Sequence, residues 1–141
     1  MPLDTSDDIG RLLSAVKTIA VVGLSNDPMR PSHGVSSYMQ QQGYRIIPVN
    51  PTISEALGER SYPDLASVPE EIDLVNVFRR PDYVPGIIDE AIRDEAIRLK
   101  LPAIWLQEGV VHPEAASKAR EAGMPVVMDR CILKEHRRRL R

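Results

Sequence analysis

Five short apolar runs recur along this chain, and turn residues follow each of them. The first run, TIAVVG, is rich in β-branched residues and ends in glycine, which is typical of a strand buried on both faces of a sheet. The later runs are of similar length, and polar or turn residues mark their ends. We therefore predict strands at residues 18–23, 44–49, 73–78, 103–107 and 125–129.

Segments with helical periodicity lie between these runs. The leading segment places Ile9, Leu12, Leu13 and Val16 at helical spacing. The stretch at residues 52–72 is richer in turn residues, and it predicts a surface crossover with one helical turn near 64–67. Helices are predicted at 7–16, at 34–42, at 82–100 with Asp82 as its cap, at 113–123 with Pro113 at its first position, and at 131–141.

Strands that alternate with helices through short loops specify a parallel sheet covered on both faces. A chain of 141 residues also has the usual length of one domain. We therefore predict an α/β fold, a single Rossmann-like domain of three layers over residues 1–141. Its sheet is expected to have five parallel strands in the order 3-2-1-4-5.

Composition narrows the classes of function. A net charge of -2 provides no overall attraction to nucleic acid or to an anionic membrane, so neither is expected as a partner. The single cysteine, Cys131, excludes an internal disulfide and a thiolate metal cluster within one chain. The acidic start MPLDTSDDIG and the lack of an apolar run near the roughly 20 residues that span a bilayer predict a cytoplasmic protein.

The carboxyl ends of the predicted strands indicate where a ligand would bind. In open parallel sheets, ligands lie outside these ends, beside the switch in strand order. Phe78 closes the third predicted strand and is expected to be a core or pocket-wall residue. The loops at this edge are residues 24–33, 50–52, 79–82, 107–112 and 129–131.

The first of these loops predicts an anion site, because it brings backbone N–H groups and a helix start to the switch point. Its sequence GLSNDP lacks the G-x-G-x-x-G spacing of a dinucleotide site. Asn50 also stands where NAD-binding proteins commonly have a carboxylate, so NAD is disfavoured. Arg30, Arg79 and Arg80 supply permanently charged donors that suit an adenine nucleotide with additional phosphate, although any one of them could be a solvated surface residue.

Ordered motifs along nearly the whole chain resemble one known family. This chain is similar to the small stand-alone CoA-binding proteins of the YccU type in the motifs GLSNDPMRPSHGVSSYM, GYRIIPVNP, VNVFRRP, IWLQEGV and VVMDRC. That family is in turn related to the CoA-binding domain of the succinyl-CoA synthetase alpha subunit. The resemblance implies that coenzyme A lies across the loop tips.

The resemblance also carries site residues over to this chain. Gln107, Glu108 and Gly109 match the T-E-G of the synthetase subunit, and Cys131 matches part of its asparagine-cysteine pair. The synthetase lysine beyond the second strand has no basic counterpart at residues 50–55, so another arginine takes that role or the phosphate contact is weaker. The predicted coenzyme A site comprises Gly23, Leu24, Ser25, Arg30, His33, Gly34, Asn50, Pro51, Phe78, Arg79, Arg80, Gln107, Glu108, Gly109 and Cys131.

Three histidines and the cysteine are the remaining candidates for chemistry. His112 is placed to cap a helix, and His136 lies in the basic tail. His33 is placed for ligand contact, and we expect it to position the ligand or bind phosphate instead of acting as an acid or base. Cys131 is either a buried, inert thiol or a group that forms a mixed disulfide with oxidised CoA.

We therefore predict a protein that binds coenzyme A or acyl-CoA and is not an enzyme by itself. It would serve as a carrier, a sensor or a regulatory partner of an acyl-CoA enzyme. Two alternatives stay open: a small NAD(P)-dependent oxidoreductase, and an interaction protein with a vestigial nucleotide pocket.

Overall fold

A computed structural model describes residues 6–140, so residues 1–5 and 141 of the predicted domain lie outside the described residues. The strands are β1 (Thr18–Val22), β2 (Arg45–Val49), β3 (Glu55–Ala56), β4 (Glu59–Arg60), β5 (Leu74–Val77), β6 (Ala103–Leu106) and β7 (Val126–Met128). The helices are α1 (Ser6–Ala15), α2 (Pro31–Gln41), α3 (Val84–Arg93), α4 (Glu95–Lys100), α5 (Pro113–Glu121) and α6 (Ile132–Leu140). None of these helices combines the length and the apolar character that crossing a membrane requires.

The α/β fold predicted from the sequence is confirmed. Five strands form one parallel sheet in the spatial order β2-β1-β5-β6-β7, and the five predicted strands coincide with them. β1 lies inside the sheet, with Val21 opposite Pro48 of β2 on one side and opposite Asn76 of β5 on the other.

The predicted strand order 3-2-1-4-5 is wrong. When the strands of the large sheet are numbered along the chain, the observed order is 2-1-3-4-5, another common doubly wound arrangement. Pro48 lies within β2 and has no N–H to donate, and proline in sheets is confined to edge strands and bulges. On the outer side of β2, the Tyr62 N–H donates to the Pro48 carbonyl (3.0 Å) and the Asn50 N–H donates to the Tyr62 carbonyl (2.8 Å).

Asp73 fixes the start of β5 beside β1 instead. Its Oδ2 accepts hydrogen bonds from the N–H groups of Lys17 (2.9 Å) and Thr18 (3.0 Å). Its own N–H donates to the Thr18 carbonyl at 3.0 Å. The switch in strand order therefore falls between β1 and β5, and the loops after these two strands flank it.

Two apolar layers cover the sheet. On one face, α1, α2 and α6 pack against strand residues such as Ile19 and Trp105. On the other face, α3, α4 and α5 pack against strand residues such as Val75 and Ile104. Because successive strand residues point to opposite faces, a sheet covered on both faces requires the continuous apolar runs seen in the sequence.

The helix predicted at 82–100 is divided into α3 and α4. Asp94 ends α3 and caps α4, since its side chain accepts a hydrogen bond from the Ile97 N–H at 3.0 Å. The predicted cap Asp82 is wrong, because it lies inside a separate 3-10 turn, Pro81–Tyr83, that precedes α3.

The crossover between β2 and β5 contains a short hairpin that the sequence pattern did not predict. β3 and β4 pair antiparallel around Gly58, whose φ of 76° suits glycine. The helical turn predicted near 64–67 is confirmed as a 3-10 turn, Leu65–Ser67. Asp64 caps this turn, because its side chain accepts a hydrogen bond from the Ser67 N–H at 2.9 Å.

Candidate functional site

A cleft of about 440 Å³, which we call the main cleft, opens at the carboxyl edge of the sheet. It lies between the start of α2, the loops that follow β5 and β6, and the residue before α6. This places it beside the switch in strand order, where ligands of such sheets bind. Its lining includes the predicted site residues Phe78, Arg79, Arg80, Gln107, Glu108, Gly109 and Cys131, together with Pro31, Val35, Pro81 and Val110.

Gly23 is required by a close approach between two loops at this edge. Its φ is +91°, and a β-carbon here would lie 2.8 Å from the Phe78 carbonyl oxygen and 2.9 Å from Arg79 Cδ. Its N–H donates to the Val49 carbonyl at 2.9 Å. The missing side chain therefore lets Arg79 pass over the end of β1.

The start of α2 has no capping side chain. Arg30 occupies the N-cap position without a side-chain hydrogen bond to the helix, Pro31 is the first helical residue, and the first turn carries no acidic residue. The Ser32 hydroxyl instead accepts a hydrogen bond from the Ser25 N–H at 3.0 Å. The His33 and Gly34 N–H groups already donate to the Arg30 carbonyl, at 3.0 and 3.3 Å, so this uncapped helix start favours an anion mainly through its partial positive charge.

Arg79 and Arg80 both lie against the ring of Tyr83. Their guanidinium carbons are 3.9 Å and 5.5 Å from the ring centroid, within cation–π range. Hydrogen bonding by the Arg80 and Arg79 side chains, together with their positive charges, lowers the pKa of the Tyr83 hydroxyl. Arg79 lines the main cleft and also a smaller cleft of about 250 Å³, which is lined by Tyr83 and Pro51 among others.

Three arginines of this edge have no carboxylate partner among the described residues. Within residues 6–140, Arg30, Arg79 and Arg80 form no ion pair. In contrast, Lys134 near the same edge pairs with Glu108 at 3.1 Å. Unpaired guanidinium groups beside an uncapped helix start form a region suited to phosphate.

The residues that follow β6 are held by the segment between β7 and α6. Gln107 Oε1 accepts a hydrogen bond from the Ile132 N–H at 3.0 Å. The Gly109 N–H donates to Asp129 Oδ1 at 2.8 Å, and Asp129 itself adopts a left-handed φ of 62°. The Gly109 N–H is therefore already used inside the protein, and Gly109 shapes the cleft wall.

Cys131 is 7% exposed and lines the main cleft. Within residues 6–140, no histidine or carboxylate hydrogen-bonds to its thiol. The preceding residue, Arg130, faces Glu135 of α6 at 3.8 Å, and its carbonyl accepts a hydrogen bond from Trp105 Nε1 at 2.8 Å. The thiol therefore belongs to the wall of the cleft, without a hydrogen-bonded general base among the described residues.

Several predicted site residues lie near the two clefts without lining either of them. Leu24 is fully buried in the core, so only its backbone is available at this edge. The Asn50 amide joins two loops, donating to the Leu24 carbonyl (3.0 Å) and accepting from the Thr52 N–H (2.9 Å). The remaining residues lie at the end of β1 or around the start of α2, namely Gly23, Ser25, Arg30, His33 and Gly34.

Two residues that shape the site were missed in the sequence. Tyr83 follows Arg79 by four positions, and only the 3-10 turn between them brings its ring back onto the guanidinium. The signal that could have found it is an aromatic residue three positions after the second of two arginines. Asp129 carries no such signal, because its partner Gly109 is distant in sequence.

The predicted capping role of His112 is confirmed, since its Nδ1 accepts a hydrogen bond from the Ala115 N–H at 3.1 Å.

A match to a known protein family identifies the family of this chain. The profile of the CoA binding domain matches residues 17–137, which include every strand and both clefts. The chain belongs to the CoA binding domain family. The resemblance inferred from the sequence motifs is thereby confirmed.

Several known proteins are similar to this chain over half of its length or more. It is 46% identical to the uncharacterized protein YneT of Bacillus subtilis over 129 residues, which cover 92% of each chain. A hypothetical protein of Pyrococcus horikoshii OT3 is 34% identical, with a TM-score of 0.90 over 100% of this chain and 97% of that one. The alpha subunit of the ADP-forming acetate–CoA ligase II of Pyrococcus furiosus is 37% identical over 73 residues, which span 51% of this chain and 16% of that subunit.

Proposed function

We propose that this protein binds coenzyme A or acyl-CoA and catalyses no reaction by itself. The observation that carries the proposal is the main cleft with its unpaired arginines, Arg79 and Arg80, and with Arg30 at the uncapped start of α2. These groups suit the phosphates of an adenine nucleotide. Membership of the CoA binding domain family supports the same ligand.

The lining of the main cleft has both charged and apolar parts, which match the two ends of such a ligand. Coenzyme A has a highly charged nucleotide end and a long neutral arm that ends in a thiol. The arginines offer charge at one part of the lining, while Val35, Phe78 and Val110 offer apolar wall. A ligand with both characters fits this lining better than a uniformly charged one.

The surroundings of the candidate reactive groups support binding without catalysis. Nucleophilic catalysis needs a base within hydrogen-bond reach of the nucleophile, and none is present for Cys131 among the described residues. His33 likewise has no carboxylate partner within residues 6–140. We therefore propose a cytoplasmic carrier, sensor or regulatory partner of an acyl-CoA enzyme.

A thermal-shift panel with CoA, acetyl-CoA, NAD, NADP and ATP tests this function, because preferential ligand binding raises apparent stability. We expect CoA and acetyl-CoA to raise the melting temperature most, and Arg79→Ala to reduce that rise. Mass spectrometry should recover acetyl-CoA unchanged after prolonged incubation. A larger rise with NAD or NADP would contradict the proposed ligand, and protein-dependent consumption of acetyl-CoA would contradict the non-catalytic role. No shift with any nucleotide would favour an interaction protein with a vestigial pocket.

A further inference from the structure

The Gln107 carboxamide is buried, yet it forms part of the lining of the main cleft. The residue is 4% exposed, and its Oε1 accepts a hydrogen bond from the Ile132 N–H at 3.0 Å. A backbone N–H can only donate. This contact therefore fixes the orientation of the amide, with the Nε2 donor group at the other end.

The Nε2 group of Gln107 has no partner in the described part of the chain. It is also not one of the described side-chain atoms that are both sealed from solvent and unpaired, which belong to Ser36, Asn76 and Arg120. Its remaining access is through the cleft that the side chain lines. Because buried polar groups are nearly always hydrogen-bonded, a free and rigidly oriented donor at a cleft indicates a ligand acceptor.

The hydrogen-bonding chemistry of this donor indicates which part of the ligand it contacts. The edge of an adenine base presents a donor and an acceptor together, and a glutamine reads it with both ends of its amide. The acceptor end of Gln107 already receives the Ile132 N–H, whereas its donor end has no partner in the described residues, so the donor end is the one that needs a ligand group. The matching group is an acceptor, and beside the apolar wall formed by Val35, Phe78 and Val110 a neutral carbonyl oxygen suits this donor better than a charged phosphate oxygen.

We propose that Gln107 Nε2 donates a hydrogen bond to a carbonyl oxygen in the thiol-bearing arm of the ligand, either an amide of that arm or the thioester of an acyl-CoA. The inference rests on the proposed function, and it makes Gln107 a specificity-determining residue. Cys131 lines the same cleft and directly precedes Ile132, the residue that holds Gln107. The donor thus belongs to the same stretch of cleft wall as the cysteine, which agrees with an arm that ends in sulfur.

The variant Gln107→Glu separates the two ends of the amide. An ionised glutamate still accepts from the Ile132 N–H, but it presents an oxygen where the donor was. Gln42→Glu, at an exposed position just after α2, is the matched control for the change in charge. Calorimetry at pH 8, which keeps the glutamate ionised, would compare CoA and acetyl-CoA with 3′-phospho-ADP, a ligand that lacks the arm.

We expect Gln107→Glu to weaken acetyl-CoA, which carries both kinds of carbonyl, about tenfold or more, since a ligand acceptor loses its donor and faces an oxygen instead. Binding of 3′-phospho-ADP should be unchanged, and Gln42→Glu should bind every ligand as the wild type does. If acetyl-CoA and 3′-phospho-ADP are weakened equally, Gln107 acts on the nucleotide end and the inference is wrong. A loss seen with acetyl-CoA and not with CoA would assign the thioester carbonyl, whereas equal losses for CoA and acetyl-CoA would assign an arm amide.

Two further measurements keep the inference testable if Gln107→Glu does not fold. Gln107→Met removes the donor without adding a charge, and it should also weaken acetyl-CoA. In the wild type, the side-chain NH₂ resonances of Gln107 should shift with acetyl-CoA and stay in place with 3′-phospho-ADP. Wild-type protein that binds neither CoA nor acetyl-CoA would contradict the proposed function itself. If both Gln107 variants bind CoA and acetyl-CoA as tightly as the wild type does, this inference alone is wrong.

Discussion

The guanidinium carbon of Arg79 lies 3.9 Å from the centre of the Tyr83 ring, and the same arginine lines both clefts at the carboxyl edge of the sheet. Gly23 leaves the space through which this side chain passes. A long arginine side chain held in place before binding loses less conformational entropy when it contacts a phosphate. Tyr83 is therefore a positioning residue for Arg79.

Substitution of Tyr83 tests this relationship. Tyr83→Leu removes the ring, and we expect it to weaken CoA about two- to fivefold, the equivalent of an exposed cation–π contact. Tyr83→Phe keeps the ring and should bind nearly as the wild type does, whereas Arg79→Ala should lose more than Tyr83→Leu. Isothermal titration measures all three. A loss with Tyr83→Phe as large as with Tyr83→Leu would show that the hydroxyl matters instead of the stacking.

Gly23 provides a stability prediction. Alanine at this position meets both a left-handed backbone and the Phe78 carbonyl oxygen, so we expect Gly23→Ala to lower the free energy of unfolding by about 2 kcal/mol or more. Gly10 in α1 is the matched control, because its φ is ordinary and its nearest contact would be Arg139 Cδ at 3.8 Å. Gly10→Ala should raise stability by about 0.5–1 kcal/mol. Urea unfolding curves in which the two variants behave alike would contradict the close approach at Gly23.

His136 makes stability depend on pH. The side chain is 5% exposed, its Nδ1 lies 2.9 Å from the Tyr38 hydroxyl, and its ring meets the rings of Tyr38 and Tyr44 edge to face. Burial lowers the pKa of His136. Protons therefore bind the unfolded chain more strongly than the folded protein.

The stability that depends on His136 is lost at acidic pH. Its contribution to the free energy of unfolding is fully present above about pH 6.5, the ordinary pKa of an unfolded histidine, and it is lost as the pH falls toward the lowered pKa of the folded protein. We expect the free energy of unfolding to decrease across this window in the wild type, with a smaller decrease in His136→Phe. Chemical denaturation between pH 5 and pH 8 measures both slopes. Equal slopes would show that His136 is not the titrating group.

The strands were predictable because burial on both faces leaves continuous apolar runs. Their order was not, because it depends on which edge of β1 receives β5, and that is decided by Asp73 and by the contacts of Tyr62 with β2. Pro48 was a usable signal, since a proline inside a predicted strand argues for an edge position. The break between α3 and α4 was missed for another reason, because the helical spacing of apolar residues continues across Asp94. The usable signal was Asp94 itself, since aspartate is a common N-cap residue.

The site was predictable where it depends on strand ends. Arg79 and Arg80 come just after a predicted strand and Gln107 is the last residue of another, so the topology alone brings them to one cleft. Hydrogen bonds between residues that are far apart in the sequence could not be predicted from it. The amide of Gln107 is oriented by a residue of α6, and Gly109 is held by Asp129 after the following strand.

Cys131 provides a covalent test of where the thiol end of the ligand lies. Because Cys131 lines the main cleft, we expect its thiolate to attack one sulfur of CoA disulfide, forming a protein–CoA disulfide and releasing one CoA thiolate. Intact mass should increase by one CoA, revert with dithiothreitol, and stay unchanged in Cys131→Ser. Modification that occurs only after unfolding would instead identify Cys131 as a buried, inert thiol.

Binding of coenzyme A in preference to NAD is the central claim, and isothermal titration of the wild-type protein tests it most directly. Each ligand would be titrated into the same protein sample in the same buffer, at a salt concentration low enough to preserve arginine–phosphate contacts. The account predicts saturable heat with CoA and an affinity for NAD that is weaker by about tenfold or more. The reason is that the edge lacks the dinucleotide loop and the carboxylate after β2. Tight binding of NAD with no heat from CoA or acetyl-CoA would contradict it.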